Sequence, residues 1–384
     1  MDLLRIFLIW INLPIYEELS LFTNKAVALR MIQRRENDLN DDEYLSARGS
    51  QNWLIIGLSL FLPIGLWIQV GSYSVAEIIL VILTPIMELF LPIIPGEIFP
   101  YFFGQEINGK PVEMFQRALV TAIIVTIVAG FLGTFLLVQN LALIGDGLAH
   151  VSFGGVAVGI VLGATSPLWY ALVFSIASAI LIYELQSRGI LTGDASIAIF
   201  LTGMLALGLV VLRIGDIGMT AEVESYLFGN LLLISNDDLD VIATIILISL
   251  VLLGFLRSGL LAITIDPVSA RVQGIPVRGV GLMFAVITAS VVVSMVQVVG
   301  ALLVTALLVT PAATAQLVGR SFRSCLLWTQ FFGLSSVLGG LYFSSEMDTG
   351  SGSMIALVAA IIFGVVAITQ TVVKSFTKPT DNVN

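Results

Sequence analysis

Arg117-Ala-Leu-Val-Thr-Ala-Ile-Ile-Val-Thr-Ile-Val-Ala-Gly-Phe-Leu-Gly-Thr-Phe-Leu-Leu-Val138 decides the class of this chain. After Arg117 the run carries no charge, and crossing the hydrocarbon core of a bilayer takes about 20 such residues in a helix. Windows of the same kind recur near 139–163, 166–184, 194–213, 223–236, 239–256, 280–297, 300–318, 324–344 and 352–373. The window at 223–236 is short and has Glu222 and Glu224 at its start, so it reads as a partial or re-entrant helix. About nine core spans are therefore expected, in an all-α, polytopic transmembrane helical bundle.

Composition agrees. Of 384 residues, 58% are hydrophobic and 11% charged, against roughly 25% charged in a soluble domain. Mean hydropathy is +1.03. A water-soluble fold needs a polar skin that this chain cannot supply, which excludes a soluble enzyme, a nucleic-acid binder and a disordered chain. Cys325 is the one cysteine and His150 the one histidine. An intrachain disulfide, a cysteine metal cluster and every two-histidine metal site within one chain are thereby excluded. The net charge of −9 says little about substrate, because a dense part of the acid sits in one short run, Glu36 to Glu43.

Basic residues orient the spans. Arg188, the group Arg257, Arg271 and Arg278, the pair Arg320 and Arg323, and the pair Lys374 and Lys378 all fall on one side when spans are counted, and that side is cytoplasmic. The opposite loops carry Asp216, Glu222, Glu224, Asp237, Asp238, Glu346 and Asp348. The expected location is the plasma or inner membrane.

The beginning of the chain differs. Residues 1–22 are apolar but broken by Pro14, Glu17 and Glu18, and lack an A-x-A cleavage site, which argues against a signal peptide. Residues 23–52 form a polar arm, and 53–70 read as a span. Residues 75–103 contain Pro85, Glu88, Pro92, Pro95, Glu97 and Pro100 and are placed at the outer interface. The alternative lets 1–22 span and puts the basic arm outside, against the positive-inside trend. The expected division is an N-terminal extension over 1–111, a permease domain over 112–377 and a cytoplasmic tail over 378–384.

Gly145-Asp-Gly-Leu-Ala-His150 is the most informative motif. Asp146 and His150 are one helical turn apart on one face. An intramembrane charge costs about 3 kcal/mol or more, so the pair demands a reason. It is a suitable half-site for Mn²⁺, Zn²⁺ or Fe²⁺, or a structural Asp–His hydrogen bond, and spacing alone leaves both open. Gly154-Gly155-Val-Ala-Val-Gly159 lets helices approach closely and puts the same helix at the centre of the bundle. In Asp266-Pro-Val-Ser-Ala-Arg-Val-Gln-Gly-Ile-Pro-Val-Arg278, Asp266 can cap a short helix that Pro267 opens and Gly274 closes. This loop is either a docking element, involving Asp266, Arg271, Gly274, Pro276 and Arg278, or a solvated connection. Val299-Gly-Ala-Leu-Leu-Val-Thr-Ala-Leu-Leu-Val-Thr-Pro-Ala-Ala-Thr-Ala315 places Thr310, Pro311 and Thr314 either along a polar pathway or in an ordinary kinked helix. Gly104-Gln-Glu-Ile-Asn-Gly-Lys-Pro111 imitates a phosphate-binding loop, but Pro111 replaces the hydroxyl that would hold Mg²⁺. If ATP drives this system, another chain binds it.

Residues from about 112 to 373 resemble the permease subunit of the zinc, manganese and iron ABC importers, the ABC-3 metal permeases. The resemblance runs through Phe115-Gln-Arg-Ala-Leu-Val-Thr-Ala and Gly130-Phe-Leu-Gly-Thr-Phe-Leu-Leu-Val, which look like the family's opening helix. It continues through Leu143 to His150, similar to the signature G-D-A-x-S-H, and through Ser225-Tyr-Leu-Phe-Gly-Asn230, similar to the L-F-G-[DN] turn. It ends in the run from Val299 to Ala315. Gly147, Ala149 and Gly154 stand where the family usually has alanine, serine and proline, and the loop Glu346–Gly352 lacks a frequent proline. The first ~110 residues have no counterpart in short members.

What the resemblance implies is specific. Asp146 and His150 contact the metal on its path, and Asp266–Arg278 docks on an ABC ATPase subunit. The permease works with a second copy of itself in the lipid membrane, and an extracellular or periplasmic metal-binding protein delivers the ion. The chain performs no chemistry, holds no permanent cofactor, binds no nucleic acid, and carries a divalent ion (Zn, Mn or Fe) as substrate. A rival is a proton-coupled secondary transporter with Asp146 and His150 as proton relay. It would be expected to show repeat symmetry, and none is visible. An intramembrane enzyme stands further back, with no clear nucleophile–base pair.

Overall fold

The computed structural model describes residues 75–377, apart from 108–109, 165, 218–219, 230, 235 and 302–303. The expectations for 1–22, 23–52, 53–70 and the tail 378–384 lie outside the described residues.

Thirteen helices follow in chain order among the described residues: α1 (Val75–Phe90), α2 (Glu113–Val138), α3 (Ile144–Val161), α4 (Leu168–Ser187), α5 (Gly193–Ile214), α6 (Ala221–Phe228), α7 (Asn236–Ile265), α8 (Pro267–Val272), α9 (Val277–Val299), α10 (Val304–Leu308), α11 (Thr310–Val318), α12 (Phe322–Glu346) and α13 (Ser351–Thr377). Short 3₁₀ turns occupy Leu91–Ile93, Phe99–Phe103 and Leu231–Leu233. Extended pairing among the described residues is confined to β1 (Glu106–Ile107), antiparallel to β2 (Lys110–Pro111). That hairpin falls on the imitation phosphate loop and has nothing of its strand–loop–helix context.

Eight of these helices are long and apolar enough to span: α2, α3, α4, α5, α7, α9, α12 and α13. The expected ninth, over 300–318, is not one helix. Gly300 takes φ +90 and ψ 154 at the end of α9, and the stretch after it forms α10 and α11, broken at Val309. Pro311 is therefore not a mid-span kink. It opens α11 in the first turn, where its missing N–H costs nothing. The expected partial helix at 223–236 is α6 followed by the turn Leu231–Leu233.

Burial ranks the spans. The apolar window of α9 is 94% buried and those of α2 and α3 are each 78% buried, whereas α13 is 17% buried and α5 22%. The first three make the centre, and the last two present broad apolar faces outward. α3 packs on α4 and α5; α9 packs on α3, α4 and α7; α2 packs on α7 and α12. Hydroxyls survive inside by turning back on their own helices. Thr126 donates to the Ala122 carbonyl at 2.6 Å and Thr288 to the Phe284 carbonyl at 2.7 Å. Across helices, Thr134 and Thr329 meet at 3.1 Å, joining α2 to α12.

Hydrogen bonds define two ends. At the basic end, Gln139 after α2 donates to Thr264 of α7 at 3.0 Å, and Arg278 of α9 reaches Glu184 of α4. At the acidic end, Glu346 closes α12. Its Oε1 accepts the backbone N–H groups of Glu97, Ile98 and Phe99 at 3.0, 3.0 and 3.1 Å. Phe99 packs edge-on against Tyr342, and Phe102 against Phe115 at the start of α2. Residues 97–103, placed at the outer interface from their prolines and acids, are thus fastened to that end of the bundle.

Candidate metal pathway

The central helix α3 is built for close approach. A Cβ on Gly154 would lie 2.6 Å from the Met204 carbonyl of α5, and one on Gly155 would lie 2.8 Å from the Tyr170 carbonyl of α4. Any side chain at either position would push a neighbouring backbone away.

Those contacts also say where Asp146 and His150 point. Turning at about 100° per residue, and counting from Gly145, which faces Leu308 of α10, the glycines at 147 and 154 point about 200° and 180° round the axis. There lie Ile197 and Met204 of α5. Gly155 and Gly159 point about 280° and 320° round, onto Ala171, Tyr170 and Pro167. Asp146 and His150, at about 100° and 140°, occupy the sector between α10 and α5, away from α4.

Asp146 is the third residue of α3, where the free N–H groups of the first turn favour a carboxylate. His150 follows one turn later. Its Nε2 stands 3.7 Å from Asp146 Oδ1, with the side chains 10% and 32% exposed. That separation is beyond hydrogen-bond range, so a structural Asp–His hydrogen bond is not what holds the pair. The other ring nitrogen, Nδ1, is buried and has no hydrogen-bond partner among the described residues. An imidazole left in this state costs about 1–3 kcal/mol. Among the described residues no group of three or more His, Cys, Asp or Glu gathers to hold an ion. One chain offers two such ligands at this point.

The pair lies nearer the basic end than the middle of the bundle, because α3 starts at that end. On the other side of α3, toward α4, α7 and α9, the basic end holds a cavity of about 370 Å³ bounded by Asn140, Ile144, Tyr183, Gln186, Thr264 and Phe284, among others, which neither Asp146 nor His150 lines. Its wall is mostly apolar, with a few amide and hydroxyl groups.

The loop at Asp266–Arg278 takes the form the sequence predicts. The Asp266 side chain accepts from the Val268 N–H at 2.9 Å, Pro267 opens α8, and Gly274 sits at φ +80. Ala270 is buried beneath α8, while Ile265, Val268 and Val272 are exposed beside Arg271. Arg278 behaves differently from its neighbours: it is turned inward onto Glu184.

The contacts described for Pro311 and Thr314 are with other groups. Pro311 lies against Gly333 of α12, and the Thr314 hydroxyl donates to the Thr310 carbonyl at 2.8 Å. Within this broken helix Leu308 meets α3, its Cδ2 2.6 Å from where a Cβ on Gly145 would lie. Reasoning from the sequence missed Glu184 and Glu346. Each had a signal: an acid at the very edge of an apolar window.

Two motifs far apart in sequence meet at the acidic end. Gly229, after α6, has φ +74, and a Cβ there would lie 2.3 Å from the Val299 carbonyl carbon. Gly300 answers it with φ +90, facing the backbone of Phe228, and Ala301 donates to the Tyr226 carbonyl at 2.9 Å.

Comparison with known proteins places residues 111–370 in a match to the ABC 3 transport family. The manganese transport system membrane protein MntC of Halalkalibacterium halodurans is 34% identical over 263 residues, covering 68% of this chain and 88% of that one. The high-affinity zinc uptake system membrane protein ZnuB of Haemophilus influenzae is 32% identical over 251 residues, covering 65% and 95%. Among solved structures, PsaBC from Streptococcus pneumoniae in complex with Fab superposes with a TM-score of 0.58 at 31% identity, covering 66% of this chain and 91% of that chain.

Proposed function

The chain belongs to the ABC 3 transport family, and from that premise we propose that it is the membrane-spanning permease subunit of an ATP-driven importer of divalent transition metal ions: manganese, zinc or iron. The observation that carries the reading is the pair on α3. A carboxylate and an imidazole share one face of a central helix, too far apart to bond each other, with a buried ring nitrogen lacking a partner. A divalent ion shared by Asp146 Oδ1 and His150 Nε2 would bridge that gap, since Asp oxygen and His nitrogen together suit these first-row metals.

Two ligands are too few for such an ion. A second copy of the chain supplies Asp146 and His150 again, giving four around a shared axis. Both groups ligate only when deprotonated, so occupancy falls as pH falls. The permease contributes no bond-making. It fixes the ligands on α3 and passes the ion on as the helices shift.

The driving force comes from an ABC ATPase subunit at the basic end. Supporting this, α8 offers exposed Val268 and Val272 beside Arg271 on a short capped helix anchored by buried Ala270. An extracellular metal-binding protein delivers the ion at the acidic end. The test is uptake of Mn²⁺, Zn²⁺ and Fe²⁺ in cells with and without this gene, with competition between the ions. Loss of uptake of one or more of them is expected; unchanged uptake of all three refutes the reading.

A further inference from the structure

Threonine hydroxyls in this bundle follow a rule. Thr121, Thr126, Thr134, Thr244, Thr288, Thr314 and Thr329 each donate to the carbonyl four residues earlier. Thr305 does not. It is the second residue of α10, so the residue four before it, Ala301, precedes the helix. Its Oγ1 is buried with no hydrogen-bond partner among the described residues.

Position makes this hydroxyl significant. Leu308 of α10 abuts Gly145 of α3, and the two helices run in opposite directions. Stepping back three residues along α10 moves about 4.5 Å toward the acidic end, level with Leu148, between Asp146 and His150. The right-handed sense of both helices then decides the side. With Leu308 aimed at α3, Thr305 is turned about 60° from it, toward the same sector between α10 and α5 that Asp146 and His150 occupy.

We infer that Thr305 is a further residue of the ion site: its hydroxyl oxygen faces the ion held by Asp146 and His150 and favours Mn²⁺ over Zn²⁺. Adding a neutral hard oxygen to one carboxylate and one imidazole shifts the donor set toward what manganese accepts, whereas zinc gains less from it. The inference rests on the metal-site reading above. It also accounts for the orphaned buried oxygen Thr305 Oγ1.

The test uses the full chain assembled with its ATPase in vesicles, with KM measured separately for Mn²⁺ and Zn²⁺ uptake. Thr305→Val keeps the shape and removes the oxygen; Thr305→Ser keeps the oxygen; His150→Ala is run alongside. For Thr305→Val the Mn²⁺ KM is expected to rise about tenfold and the Zn²⁺ KM by much less, with Thr305→Ser close to the parent. An unchanged ratio of the two KM values in Thr305→Val overturns the role of Thr305, as does a Ser variant no better than Val. If His150→Ala also leaves uptake intact, the metal-site reading itself has failed, so the two failures are told apart.

Discussion

Arg278 lays its Nη2 between both carboxylate oxygens of Glu184, at 2.8 and 2.7 Å, with Nε at 3.1 Å from Oε1. The contact ties the first turn of α9, the most buried span, to the last turn of α4. Glu184 also accepts from Arg188 at 3.1 Å. Arg278 comes six residues after the end of α8, so if α8 docks as proposed, the fork would carry a push on α8 to the core. Arg278→Lys keeps the charge and loses the planar fork. A double-mutant cycle with Glu184→Gln is expected to give a coupling of about 1 kcal/mol in thermal unfolding. Each single variant should also lower metal uptake per ATP hydrolysed. A coupling indistinguishable from zero, with normal uptake per ATP, would remove Arg278 from the transmission route.

His150→Ala should lower metal uptake by more than about tenfold while the protein still assembles with its ATPase. The expectation on assembly follows from placement: His150 faces the α5–α10 sector, whereas α8 is at the basic surface. Uptake and co-purification of the ATPase are measured on the same membranes. Normal uptake in a variant that assembles normally would take His150 out of the pathway.

Much of the fold is legible in the sequence, for a plain reason. A span must satisfy every backbone group internally, so long uncharged runs become helices regardless of their neighbours. That logic fails where backbone geometry overrides composition. Residues 300–318 are as apolar as a span, yet Gly300 turns the chain at φ +90 because Gly229 comes up against it from α6. No local pattern announces a contact between residues 71 positions apart. The Asp–His pair is legible because an acid and the lone histidine cannot hide among apolar residues. Thr305 is not, since its hydroxyl matters only because α10 begins one residue earlier. Arg278 reads as one more loop base until the structure shows Glu184 beneath it.

Altering α8 separates docking from permeation. Arg271 is exposed, and Gly274 holds φ +80 at the end of that short helix. Deleting Gly274–Pro276 shifts α8 relative to α9, and Arg271→Glu reverses a charge on its surface. Arg271→Glu should leave the protein folded, because Arg271 is exposed; the deletion also removes Ile275, which packs partly buried on the core, so its melting curve is measured alongside, and both should leave ATP hydrolysis running with little transport. Hydrolysis and uptake are measured together in vesicles. A normal ratio in both variants refutes docking through this element.

Glu346 fastens the segment before α2. One carboxylate oxygen accepts three consecutive N–H groups, from Glu97, Ile98 and Phe99. Glu346→Ala removes every acceptor and should speed hydrogen exchange of those three amides by about tenfold or more, with the amides of α9 unaffected. Glu346→Gln retains an oxygen and should fall between. Unchanged exchange in the alanine variant would mean that the aromatic packing of Phe99 on Tyr342 holds the segment alone.

The meeting of Gly229 and Gly300 makes the sharpest demand on the sequence. Each has a left-handed or otherwise positive φ, and each faces the other's backbone at distances no Cβ tolerates. The backbone cost of a side chain at such a φ is about 1–2 kcal/mol, and the collision with a main-chain carbonyl carbon comes on top, since main chain held by helices on both sides cannot step aside. Gly229→Ala and Gly300→Ala should each lower the unfolding temperature and reduce the amount of protein in the membrane. The double variant should be no worse than additive if the two chains part once and stay parted, because the second Cβ then enters a gap already opened. Melting curves of the purified proteins check both points. A Gly229→Ala variant as stable as the parent would show that α6 is free to move away from the end of α9.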